Sequence, residues 1–273
     1  MTSVAADRSV EAKALETAAG LRRRRYLALV LGWLGFLGLW WIASALIGSE
    51  ARLPSPPRVL SEIIIILQGD FWTNFSASVV RVVAGFVAGL IFGTPLGFLM
   101  GRSRYWRNFL QTPVIIAGSI PGLTYAVMAF VVFGLSFLGP VIAIGLISMP
   151  YVALNVAEGV AGVDKGLIDM STAYGRSNRQ ILRNVLIPTI IPFAFAGVRL
   201  SFSLAWKVGQ LTEVFGSSKG VGFQIRRSFQ LFNMPAVLAW VLLFIAFMLI
   251  LERQILVRLE RRLFRWRTWE NQS

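Results

Sequence analysis

Residues 108–157 read NFLQTPVIIAGSIPGLTYAVMAFVVFGLSFLGPVIAIGLISMPYVALNVA, fifty consecutive positions without a charged side chain. A helix needs about 20 apolar residues to cross a bilayer. Fifty residues are too many for one crossing and suit two helices joined by a turn. Gly134 to Pro140 supplies the turn, with Gly139-Pro140 as its stop and start signal. Ser119-Ile120-Pro121-Gly122 interrupts the first of these helices. Pro and Gly inside a span free backbone groups and bend it, which is tolerated where the span lines a cavity. Ser119 and Pro121 are therefore candidate pathway residues. A packing kink is the plainer reading, and both stay open.

Outward from this stretch the charge-free blocks continue at 26–49, 82–101 and 228–251. A sixth apolar segment, 189–212, carries Arg199 and Lys207. The pattern predicts an all-α membrane protein of about six transmembrane helices. Composition agrees: of 273 residues 56% are hydrophobic and 15% charged, against about 45–50% and about 25% in soluble domains. The chain has no Cys and no His. That excludes disulfide scaffolds, thiolate metal sites and Ser-His or Cys-His nucleophilic chemistry. No catalytic residues and no metal ligands are expected. The first span follows Arg22–Arg25 and ends near Ala43-Ser44-Ala45, in the manner of a cleavable signal peptide. Its apolar run exceeds the usual length and holds Trp33, Trp40 and Trp41. The expectation is a retained signal-anchor helix.

The formal net charge is +14, from 27 Lys+Arg and 13 Asp+Glu. With the N-terminus in the cytoplasm, inside segments carry 19 basic residues and outside segments 5. Arg81, Arg199 and Lys207 lie at or within spans. This bias is the positive-inside rule, and it places both termini in the cytoplasm. The expected organisation is a basic segment 1–26, a transmembrane domain 27–257 and a basic amphipathic tail 258–273. Arg258, Arg261, Arg262, Arg265 and Arg267 alternate there with Leu263, Phe264, Trp266 and Trp269. Such a tail suits anionic headgroups better than RNA.

Outside loops are expected at 48–78 and 213–234, and an inside loop at 158–187. In the first, Pro56-Pro57 and the helical spacing of Val59, Leu60, Ile63, Ile64 and Leu67 predict an amphipathic helix over 57–68. In the inside loop, Asp164 is placed to cap a helix over 165–174 and Gly175 to stop it. Ser177-Asn178-Arg179-Gln180 has the capping-box pattern, so a second helix starts at once and runs into Pro188. Two short helices at an angle form a protrusion suited to docking another protein, or an ordinary solvated loop. Gly85, Gly89, Gly93 and Gly97 form a small-residue stripe for close helix approach, which fits internal packing, the preferred reading, or a dimer seam.

Asp169-Met170-Ser171, three residues, Gly175, nine residues and Val185-Leu186-Ile187-Pro188 resemble the loop motif of bacterial ABC importer permeases, Glu-Ala-Ala, three residues, Gly, nine residues, Ile-x-Leu-Pro. Gly and Pro match at the right spacing, and Met170 and Ser171 depart from the paired alanines. Leu53-Pro54-Ser55-Pro56, the run Ser78 to Phe86, Gly197-Val198-Arg199-Leu200, Ala205-Trp206 and Gly220-Val221-Gly222 after Glu213 resemble the nitrate/sulfonate/taurine branch. The likeness covers roughly residues 40–265.

The resemblance implies a type I ABC importer permease fold in the bacterial inner membrane. It implies a second permease subunit, expected as a homodimer, two cytoplasmic ATPase subunits and an extracytoplasmic solute-binding protein, with no nucleic acid. ATP and Mg would be bound by the partner ATPase and no cofactor by this chain, which has no GxxxxGK[ST] loop. By the same resemblance Asp169, Ser171, Gly175, Arg176 and Pro188 belong to the ATPase-coupling loop. The candidate pathway residues are Ser119, Pro121, Arg199, Trp206, Lys207 and Gln210. A lipid-facing cation at mid-depth costs at least about 2.5–3.5 kcal/mol. Arg199, about 16 Å beyond Pro188, is read near mid-depth and as a pairing residue. Lys207 either attracts an anionic solute such as a sulfonate or nitrate, or snorkels to the outer interface. The expected function is the permease subunit of an ATP-driven importer of a small anionic solute. Import of a neutral heterocycle by the same fold is the near alternative, and a stand-alone ion-coupled carrier or channel the distant one.

Overall fold

A computed structural model describes residue 24, residues 27–256 and residues 258 and 260. Most of the basic segment 1–26 and of the amphipathic tail 258–273 lies outside these. The described residues form helices and no strands. In chain order they are α1 (Leu27–Ile47), α2 (Pro56–Gln68), α3 (Phe71–Arg102), α4 (Arg104–Ser119), α5 (Gly122–Phe133), α6 (Leu138–Ala161), α7 (Lys165–Ala173), α8 (Asn178–Ile181), α9 (Ile187–Gly216), α10 (Val221–Gln230) and α11 (Met234–Leu251).

Among the described residues five helices are long and apolar enough to cross a membrane: α1, α3, α6, the continuous rod from Asn178 to Gly216, and α11 with its extension. The bent pair α4–α5 makes a sixth if taken as one broken span. Gly134, at φ +60, ends α5, and α6 starts at Leu138, within the turn expected from the fifty-residue stretch. Both α7–α8 and the α3–α4 junction lie at one end of the bundle. The α5–α6 turn and the α9–α10 corner lie at the other.

α3 and α6 form the tightest pair. A Cβ built on Gly93 would lie 2.7 Å from the Met149 carbonyl oxygen, and one on Gly89 would lie 2.6 Å from the Ser148 Cβ. The glycine stripe is thus internal packing, with backbones too close for any side chain. Around this pair the core gathers Phe71, Val82, Ile144, Trp206, Trp240 and Phe244. By contrast α1 lies at the margin. Its ties are at its far end, where Trp40 Nε1 donates to the Pro54 carbonyl (3.1 Å) and Ser44 Oγ to the Leu53 carbonyl (2.9 Å).

The second helix of the inside loop differs from expectation. It does not stop at Pro188 but passes through it. Proline has no N–H and its ring crowds the carbonyl four residues back. Residues Leu182–Leu186 widen into a π turn just before it, and the Ile187 N–H bonds to Leu182 O, five residues back. The widened turn accommodates Pro188 at the second position of α9, so α8 and α9 form one rod.

Candidate functional site

Between Ser201 and Glu213 every residue of α9 except Lys207 is buried or half-buried. A Cβ on Gly209 would meet Val82 of α3 and Ile144 of α6, and Val208 packs on Gly122 of α5. Trp206, 1% exposed, meets the rings of Phe202 (6.1 Å) and Phe244 (5.7 Å). Lys207 points to the one face left uncovered and is exposed. It has no ion-pair or hydrogen-bond partner among the described residues. Nearby, Trp206 Nε1 and Gln210 Nε2 are buried without an acceptor.

Beside Lys207 the chain turns sharply. α4 and α5 meet at 89° across Ile120-Pro121. The carbonyls at the end of α4 are taken up by hydroxyls: Tyr125 donates to Ala117 O (2.9 Å), and Tyr151 of α6 to Gly118 O (3.1 Å). Ser119 donates back to Ile115 O (2.8 Å). These bonds let a break persist inside an apolar bundle. Because Gly122 packs on Val208, the break and Lys207 share one level of the bundle. Ser119 and Pro121 are exposed there.

Of the candidate pathway residues, the fold therefore groups Ser119, Pro121, Lys207 and Gln210. Trp206 shares their level but turns into the core. Arg199 lies elsewhere, about 12 Å along the helix toward the α7 end. Its guanidinium approaches Glu252 (3.9 Å) and Glu260 (3.4 Å). Glu252 directly follows the apolar run of α11, so Arg199 lies level with a span's charged edge rather than at mid-depth. The reason is the rod: it starts at Asn178, about ten residues before the start that Pro188 suggested, and shifts every depth along α9.

At the α7 end, Asp164 accepts from the Gly166 N–H at 2.8 Å and caps α7. Ser177 and Gln180 form the reciprocal capping box of α8. Gly175 has φ +71 and open space around its Cα. Asp169 and Arg176 are exposed, and the Ser171 hydroxyl donates to Leu167 O (2.7 Å). No residue of α7 is buried, and Leu167, Met170 and Tyr174 present apolar surface outward.

One constellation was not read from the sequence. Glu213, 1% exposed, accepts from Arg81 Nη1 (2.9 Å), from the Ser78 hydroxyl (2.7 Å) and from the Gly222 N–H (3.0 Å). Arg81 also donates to Lys219 O at 2.7 Å. The available signal was one acid and one Arg at the edges of two apolar blocks near the same end of the bundle. Nothing local joins the two, since Arg81 and Glu213 lie 132 residues apart in the chain.

Residues 85–265 match the model of the family described as binding-protein-dependent transport system inner membrane component. The chain belongs to this family. It is thus a transport permease component of the ABC importer class. It is 28% identical to the taurine transport system permease protein TauC of Escherichia coli, over 89% of this chain and 90% of that one. It is 28% identical to the putative aliphatic sulfonates transport permease protein SsuC of Bacillus subtilis, over 85% and 84%. The formylaminopyrimidine transport permease protein ThiX of Halalkalibacterium halodurans is 25% identical over 90% and 98%. Among solved structures, the inward-facing MetNI methionine ABC transporter superposes with a TM-score of 0.60 at 18% identity, covering 70% of this permease and 94% of that chain. That likeness concerns the fold.

Proposed function

We propose that two copies of this permease enclose a pathway for a small organic anion of the sulfonate class. A binding protein delivers the solute outside, and two ATPase subunits docked on α7–α8 drive the cycle. Both termini are cytoplasmic in this reading. The observation that carries it is Lys207. A cation on an exposed face of a span, with no partner among the described residues and level with a broken helix, is costly against lipid. It is stable where that face borders water and an anion, between subunits. The taurine and sulfonate relatives support the solute class, and the uncovered apolar side of α7 supports docking.

The pyrimidine relative keeps a neutral solute in view, and one experiment separates the two. The permease is reconstituted with its ATPase and binding protein, and uptake is measured with Lys207→Met. A sulfonate importer loses about ten-fold in uptake rate, the worth of one charge-assisted hydrogen bond, with protein level unchanged. Unaltered anion uptake removes Lys207 from the pathway.

A further inference from the structure

The α9–α10 corner is held by caps that each helix receives from elsewhere. α10 starts at Val221, and the residue at its N-cap, Gly220, has no side chain to cap with. Its first three N–H groups would be orphans. Gly220 N–H donates to Asn74 Oδ1 (3.0 Å), Val221 N–H to the Ser78 hydroxyl (2.9 Å) and Gly222 N–H to Glu213 Oε2 (3.0 Å). Two of these acceptors belong to α3 and the third to the last turn of α9. The Glu213 carboxylate also sits at the positive end of the α10 dipole.

The converse holds for α9. Arg226, in the middle of α10, donates to Val214 O (2.9 Å), Phe215 O (3.2 Å) and Ser217 O (3.0 Å). These carbonyls lie at the end of α9, where helix carbonyls lack partners and a cation meets the negative dipole end. Each helix thus supplies the charged group that terminates the other. There is no room for slack: a Cβ on Gly222 would meet Glu213 Cβ at 2.7 Å and Val214 N at 3.0 Å. At its other end α9 continues unbroken through the π turn to Asn178, next to Gly175 and α7.

We infer that Glu213 and Arg226 are positioning residues that make α9 and α10 one rigid body, so that displacement of α10 at one membrane face reaches α7–α8 at the other. Neither touches the solute. The inference rests on the proposed transport reading for its consequence, but the joint itself is testable without it. The chain has no cysteine, so spin labels go only where cysteines are introduced. Labels at Leu200→Cys on α9 and Arg227→Cys on α10, both exposed, are placed in one protomer diluted with unlabelled chain in lipid. The expected distance distribution is narrow and unmoved by ATP and binding protein, and Arg226→Ala broadens it. A distance that shifts when ATP and binding protein are added, or a distribution that Arg226→Ala leaves narrow, overturns the joint. In the reconstituted complex Arg226→Ala leaves basal ATP hydrolysis in place and lowers its stimulation by binding protein at least about five-fold. A mere loss of folded protein lowers both rates together, and a preserved ratio refutes the transmission role. No stimulation in the unsubstituted complex sinks the transport reading instead, while the distance measurement still decides the joint.

Discussion

At the scale of single residues the Arg81–Glu213 pair is the buried charge pair at the α9–α10 end of the bundle. A buried charge left without its partner is far costlier than the intact pair is stabilising. Arg81→Met should destabilise the permease by about 3–5 kcal/mol, because Glu213 keeps its burial and loses its cation. The double variant Arg81→Met with Glu213→Gln should recover part of that loss, since no charge remains. Thermal denaturation of the purified single and double variants checks both; a double variant no more stable than Arg81→Met would show that hydrogen bonds, not charge compensation, hold the site. Ser78 explains why sequence alone hid this group. Its hydroxyl donates to Glu213 and accepts from Val221, joining positions 135 and 143 residues apart. No local pattern spans such distances.

At the scale of elements two predictions follow from glycines with opposite demands. Gly175 has ample space but a left-handed backbone. A β-branched residue there pays about 1–2 kcal/mol of backbone strain, so Gly175→Val should reset the α7–α8 angle. Binding-protein-dependent uptake should fall while membrane insertion stays normal, and Gly175→Asn should retain most of the uptake because Asn enters this conformation more readily. Equal uptake by the Val and unsubstituted proteins would mean that the angle is unimportant. Gly93 has an ordinary helical backbone and no space. Gly93→Val should force α3 from α6, costing about 1–3 kcal/mol in overpacking, and lower the denaturation midpoint. The α7 cap, the capping box and the stop at Gly175 were all legible, because caps are local chemistry. The continuity of α8 and α9 was not. Pro188 reads locally as a helix boundary, and only the preceding π turn shows how the helix survives it.

At the scale of the whole molecule, the five spans of the described residues become six crossings with the bent pair taken as one, consistent with both termini on one side. The proposed orientation, which follows the basic-residue bias, puts that side in the cytoplasm. A reporter active only in the cytoplasm, fused after Ser273, should be active, and one inserted in the 217–220 loop inactive. The reverse result would invert the proposed orientation, and with it the assignment of α7–α8 to the ATPases. The uncovered face of α9 belongs to this scale too. Cysteine at Lys207 or Leu200 should react with a water-soluble thiol reagent or cross-link to a second copy if that face borders a pathway between subunits, and resist both if it faces lipid.

The class was legible in contiguous residues: apolar blocks of spanning length, local caps, the loop motif and the charge bias are all short-range or compositional. The sequence also marked Lys207 as anomalous, because a cation among apolar residues is visible without coordinates. Depth and partnership came from the packing of the helices. Arg199 moved to a charged edge because the rod begins earlier than its proline implies. Arg81 and Glu213 became a buried pair because α3 and α9 bring them within 2.9 Å. Among the described residues Lys207 stayed unpaired because α3, α5, α6 and α10 pack on the other sides of α9. Which charges meet depends on which helix faces converge, and that is set by packing between segments more than a hundred residues apart.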